Sequence, residues 1–391
     1  CQEGHLHTMM MVDARASLQP GPTAYKMKMV WCAVSASSCL AARKSDPMLR
    51  TSALALALFS FAEGHTADLM VAVGGSGSIH PTVTSAINAA LPNDRIIVAP
   101  GTYNESITIT KSVEIVSNSQ TQRYTINGTL NFYPATAGTT ATVMGLALNG
   151  NVGDNAGGAA SNSTLRLIDC RIQQLFSLSN AVRYVLMADS IFNGVSMERG
   201  DVIGCWFQGG PNGSVASITG VYSYPETSRF IGNSIVTDPA NLSPPLQMHA
   251  RNPFRIENNF IVLANTVSAV HVTDYSGTPT TQASHLLNNT IMRSGGTAWK
   301  LINVVETDPL QVDVRNNFTV APLAPTSVSA GTGLIQAFNV HSANTTHVNN
   351  NTGAPIAGSP AINAGDPEVI YTDLDLTRND AGCYGGSYSR D

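Results

Sequence analysis

The sequence predicts an all-β fold, a parallel β-helix in which each coil of short strands lies on the coil before it. Only 12% of its 391 residues are charged, and Asn, Ser, Thr and Gly supply the polarity, a composition that favours strands and turns over surface helices. Short apolar runs are separated by turn residues, and a six-residue pattern recurs at intervals of 15 to 30 residues. Repeats of this length are typical of solenoids, in which each repeat buries its apolar face against its neighbours.

The stretch LPNDRIIVAPGTYNESITI, residues 91–109, contains the first predicted coil. We expect strands at 95–99, 106–110 and 113–116, because β-branched apolar residues alternate with polar ones there. Pro100-Gly101 is turn chemistry and is interpreted as a corner at which the coil bends back.

A short amphipathic helix is predicted just before these strands. Val83, Ala86, Ile87 and Ala90 lie at i, i+3, i+4 and i+7, which places them on one helix face, and the helix must end before Pro92. We expect this helix to cap one end of the coil stack and the C-terminal tail to protect the other end.

The recurring pattern is apolar, any, polar, small or Asn, any, apolar. Its fourth positions are Cys170, Ser190, Cys205, Asn233, Asn259, Asn289 and Asn317. We predict that the four asparagines form a ladder in which each amide bonds to the next coil, and that they adopt the left-handed backbone of a corner. The interval between Ser190 and Cys205 is short for a complete coil, so one of these two assignments is expected to be wrong.

We predict that the N-terminal region, residues 1–67, is a leader and not part of the fold. Residues 1–47 show neither strand nor helix periodicity and are interpreted as upstream or disordered sequence. Residues 48–67 resemble a signal peptide, with a start Met48, one Arg, a short apolar run and cleavage after Ala62 or Ala67. The β-helix domain is predicted over 68–391, with a closing tail at 355–391.

Charge and cysteine content exclude several classes of partner. Without residues 1–62 the chain has 15 basic and 23 acidic residues, and its only lysines are Lys111 and Lys300. No basic stripe is present for nucleic acid, and no transmembrane segment is expected after signal cleavage. The three remaining cysteines are an odd number, so the sequence implies no disulfide framework and no zinc site.

Three segments resemble the pectin-lyase-like right-handed parallel β-helix superfamily and the bacterial secreted or surface proteins built on it. Residues 77–117 are similar to its first coil with the cap helix and Pro-Gly-x-Tyr turn, and VMGLALNG (143–150) is similar to a coil strand. SPAINAGDP (359–367) and DLDLTRNDAGCYGG (373–386) are similar to its closing segments. The resemblance implies a right-handed coil and an extracellular location, whereas the superfamily contains both enzymes and non-catalytic proteins.

A polysaccharide lyase would need a cation to neutralise a uronate carboxylate and a base to remove a proton. Arg251 and Arg255 flank Pro253 in HARNPFRIENN and resemble the Arg-x-Pro-x-x-Arg of pectate lyases, although the spacing is one residue short. They are the candidate catalytic residues. The alternative is that they are solvated corner residues.

Sugar binding and calcium are the other candidate chemistries. Trp206, Tyr222, Tyr224 and Tyr275 could stack on sugar rings or be buried inside the rod. Trp206 and Phe207 are neighbours on a strand, so one should face outward and the other inward. The only cofactor considered is Ca²⁺, for which Asp373, Asp375 and Asp380 are candidate ligands; they could equally cap turns.

The sequence therefore predicts a secreted or surface-displayed β-helix protein without catalysis, which binds extracellular polysaccharide or self-associates into an extracellular structure. The alternative is a polysaccharide lyase or glycoside hydrolase that acts on acidic polysaccharide.

Overall fold

The structure is a computed structural model that describes residues 67–154, 161–177, 181–208, 215–219, 226–240, 242–249, 251–273, 282–305, 311–329, 333–368 and 377–385. The predicted segment 1–47 and the predicted signal peptide, apart from Ala67, lie outside these residues. Both remain predictions.

The described residues form three parallel sheets of 13, 11 and 10 strands, called sheets A, B and C here. Sheet A contains β1 (Asp68–Val71), β2 (Ile79–His80), β3 (Asp94–Val98), β6 (Val113–Ser117), β9 (Thr140–Met144), β12 (Ser163–Ile168), β15 (Val182–Met187), β18 (Gly200–Ile203), β21 (Ser228–Ile231), β24 (Phe254–Glu257), β27 (Ser284–Leu287), β30 (Val312–Arg315) and β33 (Leu334–Ala337). Sheet B contains β4 (Thr102–Tyr103), β7 (Tyr124–Ile126), β10 (Leu146–Leu148), β13 (Arg171–Ile172), β16 (Ser190–Ile191), β19 (Trp206–Gln208), β22 (Ser234–Val236), β25 (Phe260–Leu263), β28 (Thr290–Arg293), β31 (Phe318–Val320) and β34 (Val340–Ser342). Sheet C contains β5 (Ile107–Ile109), β8 (Leu130–Phe132), β11 (Asn151–Gly153), β14 (Gln174–Phe176), β17 (Val195–Met197), β20 (Ala216–Ile218), β23 (Leu246–His249), β26 (Ser268–Thr273), β29 (Lys300–Val304) and β32 (Thr326–Ser329).

From β3 onward the chain passes from sheet A to sheet B to sheet C and then returns to sheet A one strand further along. The chain is therefore a parallel β-helix, and the predicted fold class is confirmed. The first coil is close to the predicted one, because β3, β5 and β6 coincide with the three predicted strands to within one residue at most ends. Pro100-Gly101 is the corner between sheets A and B. The strands β1 and β2, which extend sheet A before the helix, were not predicted.

Inward rows of apolar side chains fill the rod. One row crosses sheet A with a fully buried residue from each of its ten strands from β3 to β30: Ile96, Ile115, Val143, Leu167, Leu186, Val202, Phe230, Ile256, Leu286 and Val314. Burying one such side chain contributes about 1.5–3 kcal/mol, so stacked coils share one continuous core.

The predicted cap helix is present as α1 (Val83–Ala89). Thr82 caps its N-terminus by accepting a hydrogen bond from the Ser85 N–H at 3.1 Å, and Val83, Ala86 and Ile87 are buried on its inner face. A second helical element among the described residues is a short 3₁₀ turn, Thr345–His347. No helix in the described part of the chain is long and apolar enough to cross a membrane.

The four predicted asparagines form a continuous ladder at the corner between sheets A and B. The side-chain amides of Asn233, Asn259 and Asn289 donate to the Oδ1 atoms of Asn259, Asn289 and Asn317 at 3.0, 2.9 and 2.9 Å. Asn317 donates in turn to Asn339 Oδ1 at 2.9 Å, which adds a fifth member. In each step the backbone N–H of the first residue donates to the same oxygen, so each ladder oxygen from Asn259 to Asn339 accepts two hydrogen bonds.

The assignment of Ser190 to the ladder is wrong by one residue. Leu167 pairs with Leu186, which places Asp189 beside Cys170, and the Cys170 N–H donates to Asp189 Oδ1 at 2.6 Å. Ser190 is the first residue of β16 in sheet B. The six-residue pattern was aligned one residue too late here, because Leu186 and Met187 are both apolar and satisfy its first position equally well.

The left-handed corner residue precedes the ladder residue, contrary to the prediction. Left-handed φ values between 51° and 67° occur at Asp169, Ala188, Gly204, Gly232, Asn258, Asn288, Asn316 and Phe338. An Asn-Asn pair therefore combines two roles: the first Asn tolerates the left-handed backbone, and the second enters the ladder.

The described residues of the closing tail lie against the corner between sheets A and B. The Gly382 N–H donates to the Asn316 carbonyl at 2.7 Å, Asn258 Nδ2 donates to the Gly385 carbonyl at 2.8 Å, and Arg315 pairs with Asp366 at 2.7 Å. The tail was expected to cover the end of the rod, whereas these contacts place it on the side. The left-handed asparagines form its docking column.

Candidate functional site

The outer face of sheet B presents an exposed aromatic residue. Trp206 on β19 is 40% exposed, and its neighbour Phe207 is fully buried in the rod. The alternation of a strand accounts for this division, because successive side chains point to opposite faces.

Two residues from other coils hold Trp206 in an aromatic cluster. The Phe192 ring meets the Trp206 ring edge to face, with centroids 6.2 Å apart and planes at 80°. The Arg171 guanidinium lies over the Phe192 ring, 4.8 Å from the ring centroid. Both geometries are favourable for aromatic and cation–π contacts. Sequence reasoning missed Phe192 and Arg171, since only the strand register brings three different coils together.

The neighbours of this cluster are hydroxyl and amide groups. Ser190 and Ser234 are the register partners of Trp206 on the two adjacent strands. Gln208 is exposed on the same strand as Trp206. The cluster therefore combines an apolar ring with hydrogen-bonding groups on a flat strand surface.

A second asparagine ladder lies on the same face, toward α1. Asn127 Nδ2 donates to Asn104 Oδ1 at 2.7 Å, and Asn149 Nδ2 donates to Asn127 Oδ1 at 2.8 Å. All three side chains are exposed, in contrast to the buried ladder. Their spacing of 23 and 22 residues, each directly after an apolar strand residue, is the signal that could have identified them.

Arg255, a predicted catalytic residue, points outward from sheet A. Its Nε donates to Glu257 Oε1 at 2.7 Å, and its register partners are Arg229 and His285. Arg229 pairs with the buried Asp201 at 2.8 Å. Burial lowers the pKa of His285, and the nearby Arg255 adds to this effect, so the imidazole is biased toward its neutral form.

Arg251, the other predicted catalytic residue, lies before β24 at the corner between sheets C and A. Its charge interacts with the Glu198 carboxyl. Burial raises the pKa of that carboxyl, and the positive charge of Arg251 opposes the increase. The two arginines therefore have different carboxylate neighbours, Glu257 for Arg255 and Glu198 for Arg251.

The outer face of sheet C carries a polar chain that the sequence did not indicate. Lys300 Nζ donates to Asn303 Oδ1 at 2.8 Å, and Asn303 Nδ2 lies 2.9 Å from His271 Nδ1. Burial lowers the pKa of His271, and the Lys300 charge lowers it further. A neutral His271 can accept the hydrogen bond from Asn303.

Several predicted site residues fall outside the described residues: Tyr222, Tyr224, Tyr275, Asp373 and Asp375. Asp380 is described, and its Oδ1 accepts the Asn363 N–H at 2.6 Å. No group of three or more metal-ligating His, Cys, Asp or Glu side chains occurs among the described residues. The calcium site remains a prediction.

Comparisons with known proteins add little to this geometry. No protein-family model matches the sequence, and no curated protein matches it. Among solved structures, the chain is similar to pectate lyase Pel9A, with 14% identity and a TM-score of 0.48 over 83% of this chain and 97% of that one. It is also similar to ORF18 of Geobacillus virus E2, with 14% identity and a TM-score of 0.38 over 78% and 65% of the two chains. The β-helix assignment rests on the strand pairing itself.

Proposed function

We propose that this chain is a secreted or surface-displayed, non-catalytic β-helix protein that binds extracellular glycan through the Trp206 cluster (Arg171, Phe192 and Trp206). The observation that carries the proposal is an exposed tryptophan, held edge to face on a flat strand surface and surrounded by hydroxyl and amide side chains.

This arrangement suits a sugar ring. An aromatic face packs on the apolar C–H face of a pyranose, and a few placed polar groups fix its hydroxyls. Phe192 and Arg171 restrict the Trp206 side chain, so less conformational freedom is lost when a ligand binds. A flat surface built on strands is also a rigid one, which favours repeated contacts with an extended polymer.

The test is a binding comparison between Trp206→Ala and the unaltered chain, using titration calorimetry against neutral and acidic oligosaccharides. We expect Trp206→Ala to weaken binding about tenfold or more, because an anchoring aromatic side chain contributes over 1 kcal/mol. Phe176→Ala is the matched control, since Phe176 is 47% exposed but lies on sheet C. Equal effects of the two substitutions would contradict the proposal.

The extracellular location is tested separately. Secreted material should begin after Ala62 or Ala67 when its N-terminus is sequenced, as the signal-peptide pattern of residues 48–67 predicts. Secreted material that begins before Met48 would contradict this part of the proposal.

A second candidate function is a lyase that acts on an acidic polysaccharide. Its support is the pair Arg229 and Arg255, which lie side by side on adjacent strands with side chains 47% and 39% exposed. Like charges opposite each other are unfavourable, and the carboxylates of Asp201 and Glu257 offset their repulsion. The outward parts of the guanidiniums could receive uronate carboxylates.

This alternative predicts unsaturated uronate products, followed by ultraviolet absorbance, when the chain is incubated with uronate polymers with and without Ca²⁺. Product that disappears in Arg229→Ala and Arg255→Ala would favour the lyase over the non-catalytic proposal. Arg95→Ala is a matched control, because Arg95 also lies on the outer face of sheet A in an ion pair, with Asp68.

A further inference from the structure

We propose that the glycan bound at the Trp206 cluster is an uncharged polysaccharide whose chain runs along the rod, across the strands of sheet B. This inference rests on the proposed function and specifies its ligand. It is carried by two outward rows on sheet B, which continue from the cluster to the first coil.

The two rows follow from the strand register. The Trp206 row contains Thr102, Thr125, Ala147, Arg171, Ser190 and Trp206. The amide row lies two residues further along the chain and contains Asn104, Asn127, Asn149, Gln173, Phe192 and Gln208. Gln208 is the last residue of β19, and the other five directly follow their sheet B strands at the corner toward sheet C, so the amide row borders the Trp206 row on each coil.

The charge of this surface selects a neutral ligand. Arg171 is the only charged residue in the two rows, and it is engaged with the Phe192 ring. The outer row of sheet A is different, since it carries Glu114, Arg166 and Asp201. A polymer with a carboxylate on every sugar would find one cation in these two rows, whereas hydroxyl groups would find an amide or hydroxyl on most of the six coils.

The exposed ladder is prepared for such a ligand. The side-chain hydrogen bonds from Asn127 to Asn104 and from Asn149 to Asn127 fix the rotamers of these side chains. The second N–H of each amide and the second lone pair of each oxygen remain for a ligand. Fixed side chains lose less entropy on binding than free ones. We therefore expect the three hydrogen-bonded asparagines to bind the glycan more tightly than the same residues would without these bonds.

The direction of the polymer follows from dimensions. Strands in a sheet are about 4.8 Å apart, so the six strands from β4 to β19 extend over roughly 24 Å. A chain that followed one strand would meet only the two or three outward residues of that strand. A chain that crosses the strands meets the Trp206 cluster at one end and the ladder at the other.

The experiment compares oligosaccharides of increasing length, from disaccharide to octasaccharide, by titration calorimetry. The probes are β-1,4-glucan and xylan oligomers as the neutral series and oligogalacturonates as the acidic series. We expect affinity for a neutral series to rise with length and to exceed the affinity for acidic oligomers of equal length.

The variants Asn127→Ala and Thr125→Val test the far end of the surface. Each should lower the affinity for the octasaccharide by about three- to tenfold, the value of one or two hydrogen bonds, and leave the affinity for the disaccharide unchanged. Thr125→Val keeps the side-chain shape, which separates lost binding from altered folding. Asn131→Ala, on the outer face of sheet C, is the matched control and should have no effect.

The two proposals fail in different ways. If Trp206→Ala abolishes binding but affinity does not depend on length, or acidic oligomers bind more tightly, only the extended neutral ligand is excluded. If no series binds, or Trp206→Ala has no effect, the proposed function fails and this inference fails with it.

Discussion

The buried ladder has two parts with different chemistry at the same corner of the rod. In the amide part (Asn233, Asn259, Asn289, Asn317 and Asn339), every internal side chain both donates and accepts along the column. In the mixed part (Cys170, Asp189 and Cys205), no amide joins one coil to the next: Asp189 Oδ1 accepts the Cys170 N–H, and the Cys205 N–H donates to Asn233 Oδ1. The backbone bonds between coils continue through both parts, so a β-helix can form without amides. The amides add a buried polar network that must be complete.

The largest effect is expected at the centre of the amide part. Asn289→Leu should lower the free energy of unfolding by about 3–5 kcal/mol. The substitution removes the acceptor of both Asn259 bonds, which leaves the buried Asn259 backbone N–H without that partner, and Asn317 Oδ1 keeps only the bond from the backbone N–H of residue 289. Chemical denaturation followed by circular dichroism measures the difference.

The matched substitution in the mixed part is Cys205→Ala. It removes a thiol that makes only weak hydrogen bonds to backbone groups, such as the one to the Ile203 carbonyl at 3.5 Å, so a loss of about 1–2 kcal/mol is expected mainly from packing. If both variants lose the same amount, the hydrogen-bond network has no special role in the amide part.

The described residues of the tail contact the corner where the ladder is made of amides, and Gly385 tests that docking. A Cβ at this position would overlap the Asp380 carbonyl oxygen and Asn379 Oδ1. Gly385→Ala should therefore lower stability by about 2–3 kcal/mol and loosen the contact with Asn258. Hydrogen exchange of residues 377–385 detects the loosening.

Gly296→Ala is the control for this variant. A Cβ at Gly296 would meet no atom within 4 Å, and its stability should be unchanged or slightly higher. Fast exchange in both variants would show that the overlap of a Cβ at residue 385 is not what loosens the tail.

Asp189 is the residue at which the mixed part departs most from the amides. Its Oδ2 is buried without a hydrogen-bond partner among the described residues, and burial raises its pKa well above the ordinary value of 3.8. The unfolded chain loses this proton first as the pH rises, so the folded state becomes less stable from 3.8 up to the raised pKa and then levels off.

Asp189→Asn removes this penalty. The variant should match the unaltered chain below pH 3.8 and exceed its stability by about 1–2 kcal/mol at mildly alkaline pH. Thermal unfolding across this pH range measures the difference. A difference that stays constant with pH would mean that Asp189 does not titrate on folding.

The sequence predicted the amide part well because Asn-Asn pairs at 26 to 30 residues are rare without a structural cause. It misplaced the mixed part, since Asp189 and Ser190 are both small polar residues between apolar ones, and only the strand register distinguishes them. It also assigned the left-handed backbone to the second Asn of each pair instead of the first. Both errors are shifts of one residue, which a pattern of six positions cannot resolve.

The candidate site was less predictable than the fold. The sequence identified Trp206 as a residue that could be exposed, because alternation on β19 leaves two choices. It could not supply Phe192 and Arg171, whose contacts depend on which residues of three coils share a register row. A site on a solenoid surface is assembled from residues far apart in sequence, so its members emerge only when the coils are aligned.

The smallest effect concerns the left-handed corner residues of the mixed part. Ala188 has φ 56°, a conformation that glycine adopts at the next corner, Gly204, with φ 63°. Ala188→Gly should relieve strain of about 1–2 kcal/mol but cost about 0.5–1 kcal/mol in chain entropy, for a net gain of about 0.5–1 kcal/mol. Ala137→Gly, at an exposed residue without a left-handed backbone, carries only the entropy term and should lower stability by that amount. Opposite signs in denaturant titrations of the two variants would separate corner geometry from side-chain identity, and equal signs would show that Ala188 is not strained.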